Sequence, residues 1–223
     1  MEFFGIQKTT LIDYPGRIAA TLFTHGCNFR CPFCHNPELV TEMFSKDSKI
    51  TEDDVLNFLK KRIGKLDGIV VTGGEPLLHK GLLKFLKKVK QLDFLVKVDT
   101  NGSIPKRIRA LNKAKVVDYW AMDIKNSPEK YSQTSGVDVD LKKIRKSIRL
   151  IMESGVDYEF RTTFVPALHD DSSAVGIAKL VKGAKRFTVQ NFRSGKTLDE
   201  NFANHKGFKP EELKRFEEIL QAR

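Results

Sequence analysis

The feature that most limits the fold of this chain is an alternation that runs along nearly all of it. Short apolar runs of strand character are each followed by a helical pattern or a long loop. Runs at 18–24 (IAATLFT), 68–72 (GIVVT), 94–99 (FLVKVD), 116–123, 158–165 (YEFRTTFV) and 186–190 read as strands. Helices are predicted over 51–63, 80–91, 105–112, 141–154, 172–182 and 210–221. Their punctuation is chemical: Thr51 stands as an N-cap before Glu52, Asp53 and Asp54, Gly64 and Gly155 act as stops, and Pro210 sits in a first turn. Strands alternating with helices build parallel βαβ units with right-handed crossovers, and six of them make either an open barrel or a doubly wound sheet. No linker, low-complexity tract or repeat interrupts the 223 residues, so one domain over 1–223 is expected.

Polar and unusual residues collect where these strands end: Thr24-His25-Gly26-Cys27, Thr72-Gly73-Gly74-Glu75-Pro76, Asp99-Thr100-Asn101-Gly102 and Asp123-Ile124-Lys125. Parallel α/β folds place their sites at the C-terminal strand ends, so one shared site is expected there. Arg161 strengthens the case. It lies inside an apolar strand pattern, where an always-charged guanidinium needs an acceptor.

All three cysteines fall in one loop after the first strand, spaced C-x3-C-x2-C at Cys27, Cys31 and Cys34. Three clustered thiols do not make a disulfide framework; they read as metal or redox groups in a reducing compartment. Four thiolates would close a metal's coordination shell, whereas three leave a position open, as catalytic sites do. On a four-iron cluster, three would hold three irons and leave the fourth for a ligand. The rival is a zinc ion held by the cysteines and His35 in a nucleic-acid-binding module. Cys34 and His35 are adjacent, though, and two neighbours strain to reach one tetrahedral ion. The net charge of +11 is compatible with nucleic acid or with an acidic protein partner. The lysines are spread at helical spacing, as in LKFLKKVK and LKKIRK, and read as solvated helix faces, so no nucleic-acid partner is expected. No apolar run approaches the roughly 20 residues of a membrane span, and the N-terminus has no signal-peptide pattern, so a cytoplasmic location is expected.

The segment CNFRCPFC, with an aromatic before its third cysteine, resembles the cysteine motif of the radical S-adenosylmethionine (SAM) enzymes. VTGGEP at 71–76 resembles the glycine-rich second-strand motif of the same superfamily. The alternation then resembles its partial (β/α)6 barrel, an α/β fold of parallel sheet with outer helices. His35-Asn36, Asp99-Thr100-Asn101-Gly102 and Asp123-Ile124-Lys125 look like the activating enzymes of glycyl-radical proteins. GIQKTTLIDYPG at 5–16 and NPELV at 36–40 are similar to the activating proteins of anaerobic ribonucleoside-triphosphate reductase. No second group of cysteines is present, which excludes the auxiliary-cluster members.

This resemblance implies a [4Fe-4S] cluster on Cys27, Cys31 and Cys34, SAM on its open iron, and reductive cleavage to a 5′-deoxyadenosyl radical that takes a hydrogen from a glycine of a partner enzyme. Gly73 and Gly74 would let backbone approach the methionyl group, with Glu75 orienting that backbone or accepting from the amino group. Asp99, Thr100 and Asn101 would lie near the ribose or carboxylate, and Asp99, Thr100 and Asp123 would hold a monovalent cation. Arg161 would meet the SAM carboxylate or ribose, or else pair with Asp123. Phe33 would pack toward adenine, His35 and Asn36 would steady the loop or cofactor, and Lys125 is a further contact. The implied partners are a glycyl-radical enzyme, foremost the anaerobic ribonucleotide reductase, and an electron donor such as flavodoxin or ferredoxin. Activation of a formate-lyase, or chemistry on a small molecule as in 7-carboxy-7-deazaguanine synthesis, are the alternatives. Adenine contacts and the segment 191–209 carry no readable signal.

Overall fold

The structure is a computed structural model, and it describes residues 1–41 and 49–221. In chain order its elements are β1 (Glu2–Phe3), β2 (Gly5–Thr10), β3 (Ala19–Thr24), α1 (Pro37–Thr41), β4 (Ile50–Thr51), α2 (Glu52–Lys60), β5 (Gly68–Gly73), α3 (Leu82–Lys90), β6 (Leu95–Thr100), α4 (Pro105–Ala114), β7 (Tyr119–Asp123), α5 (Tyr131–Ser135), α6 (Leu141–Met152), β8 (Asp157–Phe164), α7 (Asp171–Leu180), β9 (Phe187–Asn191) and α8 (Pro210–Gln221). The main sheet runs β2-β3-β5-β6-β7-β8-β9, and every pair from β3 onward is parallel. Each new strand is added on the same side of its predecessor. With right-handed crossovers, that order puts all connecting helices on one face of the sheet, which is the winding of an open barrel and not of a doubly wound sheet. The six expected strands are these six.

The sequence reading missed β2, which pairs antiparallel with β3 and forms one edge of the sheet. Its residues, GIQKTT, include three exposed polar ones in a row and a single buried one, so they carry little of the apolar signal that marks a central strand. A small β1–β4 pairing and the five-residue helices α1 and α5 were also unexpected.

The two faces of the sheet differ. The helix-facing residues, among them Leu22, Val71, Val98, Trp120 and Phe160, join one large buried core with the helices. The opposite face has Ala19, Val70, Tyr119 and Ala121, which close over Tyr14 from the β2–β3 connection. That inner cluster fills the lower part of the concave face and leaves the upper part, at the C-terminal strand ends, to polar residues.

Helix ends follow local chemistry. Thr51 caps α2 through a reciprocal box: its Oγ1 accepts from the Asp54 amide at 3.1 Å, while Asp54 accepts from the Thr51 amide at 3.1 Å. Trp120, fully buried in β7, donates from Nε1 to Asn112 Oδ1 of α4 at 2.9 Å and so fixes that helix against the sheet. Among the described residues no helix is long and apolar enough to cross a membrane. Replacing Trp120 by Ala is expected to cost about 3–5 kcal/mol in urea unfolding, through the cavity and the orphaned Asn112 carbonyl.

Candidate active site

One cavity of about 240 Å³ opens at the C-terminal strand ends, and every residue to which the resemblance assigns a cofactor or metal role lines it. Cys27, Cys31, Phe33, Cys34, His35 and Asn36 come from the loop after β3. Gly73 ends β5 and Gly74 and Glu75 follow it, Asp99 and Thr100 end β6 with Asn101 after them, Asp123 ends β7 with Lys125 two residues on, and Arg161 comes from β8. Thr163, which also lines the cavity, donates from Oγ1 to Gln190 Oε1 at 3.3 Å, and Gln190 itself lies outside the lining.

The cysteine loop is gripped by backbone from several sides. The Gly26 amide donates to Leu39 O at 2.7 Å, and the Arg30 amide to Ser135 O at 2.8 Å. Gly136, at φ +66°, lets α5 end directly against Arg30: a Cβ there would meet Arg30 O at 2.1 Å. The Arg30 guanidinium turns back onto the carbonyls of Cys27 and Phe29. Asn101 Nδ2 donates to Asn28 Oδ1 at 3.0 Å and lies 3.8 Å from Cys27 Sγ. Burial pushes the Cys27 thiol up to about 12, and it raises Cys31 as well. A bound metal would displace these protons.

Gly73 and Gly74 lie directly against neighbouring main chain. A Cβ on Gly73 would lie 2.4 Å from Thr24 O, and one on Gly74 2.0 Å from Gly26 O. The absence of side chains lets the end of β5 and the loop after it lie against the backbone of Thr24 and Gly26. The Gly74 amide donates to Thr24 O and the Glu75 amide to Gly26 O, both at 2.8 Å. Glu75 also anchors backbone through its side chain. Its buried carboxylate accepts from the Asn101 amide (2.7 Å), Thr100 Oγ1 (2.8 Å) and the Leu77 amide (3.1 Å), tying the end of β5 to the end of β6. Burial raises its pKa to about 7 in spite of these three donors.

The cavity floor is a ladder of charges. Lys97, 1% exposed, holds Asp99 at 2.6 Å; Arg161 spans Asp99 (3.0 Å) and Asp123 (2.6 Å); Lys125 holds Asp123 at 2.9 Å. Burial alone would raise both carboxyls, but Arg161 with Lys97, and Arg161 with Lys125, hold Asp99 and Asp123 below the usual range. Burial would likewise lower Lys125 and Arg161, and the aspartates outweigh it and raise both. The Arg161–Asp123 pair is thus present. The monovalent-cation reading of Asp99, Thr100 and Asp123 finds no support: both carboxylates face cationic side chains, and Thr100 Oγ1 is engaged by Glu75 and the Gly102 amide. Lys97 is the member that sequence reasoning passed over. Its signal was the one that flagged Arg161, a charge inside an apolar strand.

Sequence reading also left out residues 191–209. Leu198 donates its amide to Cys34 O at 3.0 Å, and Asp199 donates to Pro32 O at 2.9 Å. His35 lies with Nδ1 3.0 Å from Lys196 O and its ring stacked on Phe192. That placement takes His35 away from the zinc shell considered for it.

The donor set fits an iron–sulfur cluster. Three soft thiols line one cavity, yet among the described residues no three His, Cys, Asp or Glu side chains converge as they would around a single ion. Three thiols over the C-terminal ends of a sequentially wound parallel sheet define an enzyme of the radical SAM type, and residues 21–176 match the model of the radical SAM superfamily, to which the chain belongs. A protein of Methanocaldococcus jannaschii that bears the name of a glycyl-radical enzyme activating enzyme is 35% identical over 97% of this chain and 90% of its own length. Streptococcus suis SuiB bound to S-adenosylmethionine shares the fold at TM-score 0.68 and 15% identity, over 89% of this chain and 45% of that one. A domain of a pyruvate-formate lyase-activating enzyme from Bacteroides vulgatus does so at TM-score 0.55 and 20% identity, over 70% of this chain and 93% of that one. The fold is therefore the partial barrel of the radical SAM enzymes.

Two outcomes are expected from this geometry. Gly74→Ala forces the β5 loop off the cysteine loop, and should weaken retention of a reconstituted cluster, read by absorbance near the iron–sulfur charge-transfer bands. For Glu75, the folded state binds a proton more tightly than the unfolded chain. Its contribution to stability is full below the ordinary carboxylate range and is lost as pH rises through about 7. In Glu75→Gln that fall should vanish from urea unfolding measured across this range, whatever the absolute stability of the variant.

Proposed function

We propose that this chain is an activating enzyme that installs a glycyl radical on a partner protein, and that the partner is an anaerobic ribonucleoside-triphosphate reductase. The observation that carries the first part is near full-length similarity to a glycyl-radical enzyme activating enzyme, in a chain whose only cysteines are the three of one loop. The choice of partner rests on the resemblance of residues 5–16 and 36–40 to reductase-activating proteins. All of 1–223 acts as one domain in this reading, and an electron-transfer protein such as flavodoxin or ferredoxin serves as reductant.

Cys27, Cys31 and Cys34 would hold a [4Fe-4S] cluster, and the polar strand ends would hold SAM. When bound, the two supply reductive cleavage of the carbon–sulfur bond and a 5′-deoxyadenosyl radical able to take hydrogen from glycine. The ladder beneath carries three cations and two carboxylates, an excess of one positive charge. That excess suits the carboxylate of the methionyl group, with Arg161 and Lys125 as its partners, while Asp99 stays held by Lys97 and Arg161. Thr100 and Asn101 set the mouth of β6 through Glu75, and Asn36 and Phe33 wall the opposite side. Phe33 is 7% exposed and serves as an apolar wall that keeps water from the reacting groups. A bound monovalent cation is left out, because Arg161, Lys97 and Lys125 supply the charge it would bring.

The test is an electron paramagnetic resonance spectrum of anaerobically reconstituted protein with a reductant, SAM and the anaerobic ribonucleotide reductase of the same source. A glycyl-radical doublet is expected on the reductase. Formation of 5′-deoxyadenosine without the doublet would overturn the partner and keep the chemistry; neither signal, from protein holding its cluster, would overturn both. Arg161→Lys keeps the charge but cannot span both carboxylates. It is expected to slow 5′-deoxyadenosine formation by roughly 10- to 100-fold, the size of one lost charged hydrogen bond.

A further inference from the structure

Residues 191–208 form a loop closed at its base and pressed at its tip onto the cysteine loop. At the base, the Asn191 side chain pairs with both backbone polar groups of Phe208, each at 2.9 Å. Gly207 sits so close beneath that a Cβ would lie 2.3 Å from Phe192 O. Midway, the Gly195 amide donates to Ala203 O at 2.9 Å. The tip then makes two parallel sets of contacts with the cysteine loop. The amides of Leu198 and Asp199 donate to the carbonyls of Cys34 and Pro32, which are the third cysteine and the residue after the second. Beside them His35 is clamped, its ring stacked on Phe192 at 5.2 Å and 13° and its Nδ1 at Lys196 O. Lys196 pairs with Glu38 of α1 at 3.0 Å. Phe192 is 1% exposed, although His35, which it holds, is exposed.

We propose that residues 192–199 are a strap that sets the conformation of the cysteine loop, with Phe192 as its positioning residue, and so controls how firmly the loop retains an iron–sulfur cluster. The strap lies beyond the residues that match the family model, and belongs to this chain's own C-terminal part. Its contacts fall on the stretch 32–38, where the loop has left β3 and its backbone carbonyls need donors from elsewhere. Without the strap, the carbonyls of Pro32 and Cys34 turn to water and the third thiol loses its fixed direction. Ligand orientation by such outer contacts is what governs affinity at metal sites.

The inference rests on reading Cys27, Cys31 and Cys34 as cluster ligands, and the test separates the two. Hydrogen exchange at residues 27–36 is measured on the metal-free protein, and iron release to a ferrous chelator on the reconstituted protein, for wild type, His35→Ala, His35→Phe and Phe192→Ala. His35 is exposed, so its variants fold even where Phe192→Ala does not. His35→Ala and Phe192→Ala are expected to release iron about 10-fold faster than wild type, while His35→Phe, which keeps the stacked ring, stays within about 2-fold. Exchange at 27–36 rises in the same two variants while exchange in β5 to β8 is unchanged. Equal iron release in all four proteins, or faster exchange spread evenly over the chain, overturns the strap. A wild-type protein that takes up no cluster overturns the cysteine reading instead, and the exchange on metal-free protein still decides the strap.

Discussion

A guanidinium placed inside a β-strand organises this molecule. Arg161 cannot stand in the concave face of the sheet without acceptors, and the acceptors come from two other strands. Asp99 and Asp123 approach it from β6 and β7, and each brings a lysine of its own. Buried pairs of this kind add little to net stability, since desolvation offsets most of their attraction. Breaking one, however, leaves an unpaired charge, a penalty of about 3–5 kcal/mol. The ladder therefore fixes the relative height of three strand ends, and the upper cavity inherits its shape. Below it the small residues Ala19, Val70 and Ala121 with two tyrosines close the concave face, so polar chemistry is confined to one end.

What could be read in the sequence was whatever is local or periodic. The cysteine spacing is contained in eight residues, the strand-end motifs are contiguous, and the alternation of periods gave the strands. The alternation alone left their order open; the family resemblance of the cysteine and glycine motifs pointed to the barrel, and the strand pairing bears it out. Arg161 was legible because it violates the pattern around it, and Lys97 violates the pattern of its own strand in the same way but was read as part of an ordinary apolar run. β2 escaped because an exposed edge strand has no apolar period to display. The contacts of residues 192–199 escaped for a different reason. His35 and Lys196 are 161 residues apart, and nothing in either neighbourhood encodes the other. The aromatic stack that joins this segment to the cysteine loop looks, in sequence, like one phenylalanine among sixteen.

The glycines at the end of β5 have a demand on them from within the protein. The nearest atoms that a methyl group would strike belong to the main chain of Thr24 and Gly26. Two loops from neighbouring strands are thereby welded edge to edge, with amide donors crossing the seam at 2.8 Å. Such a seam has almost no compliance, because there is no side chain in it to bend or re-rotamer. The loop bearing the thiols and the loop beneath the strand ends are, mechanically, one part. Slack on one side is slack on the other: whatever loosens the thiol-bearing loop also blurs the seat next door, and a ligand settling into that seat stiffens the loop in return.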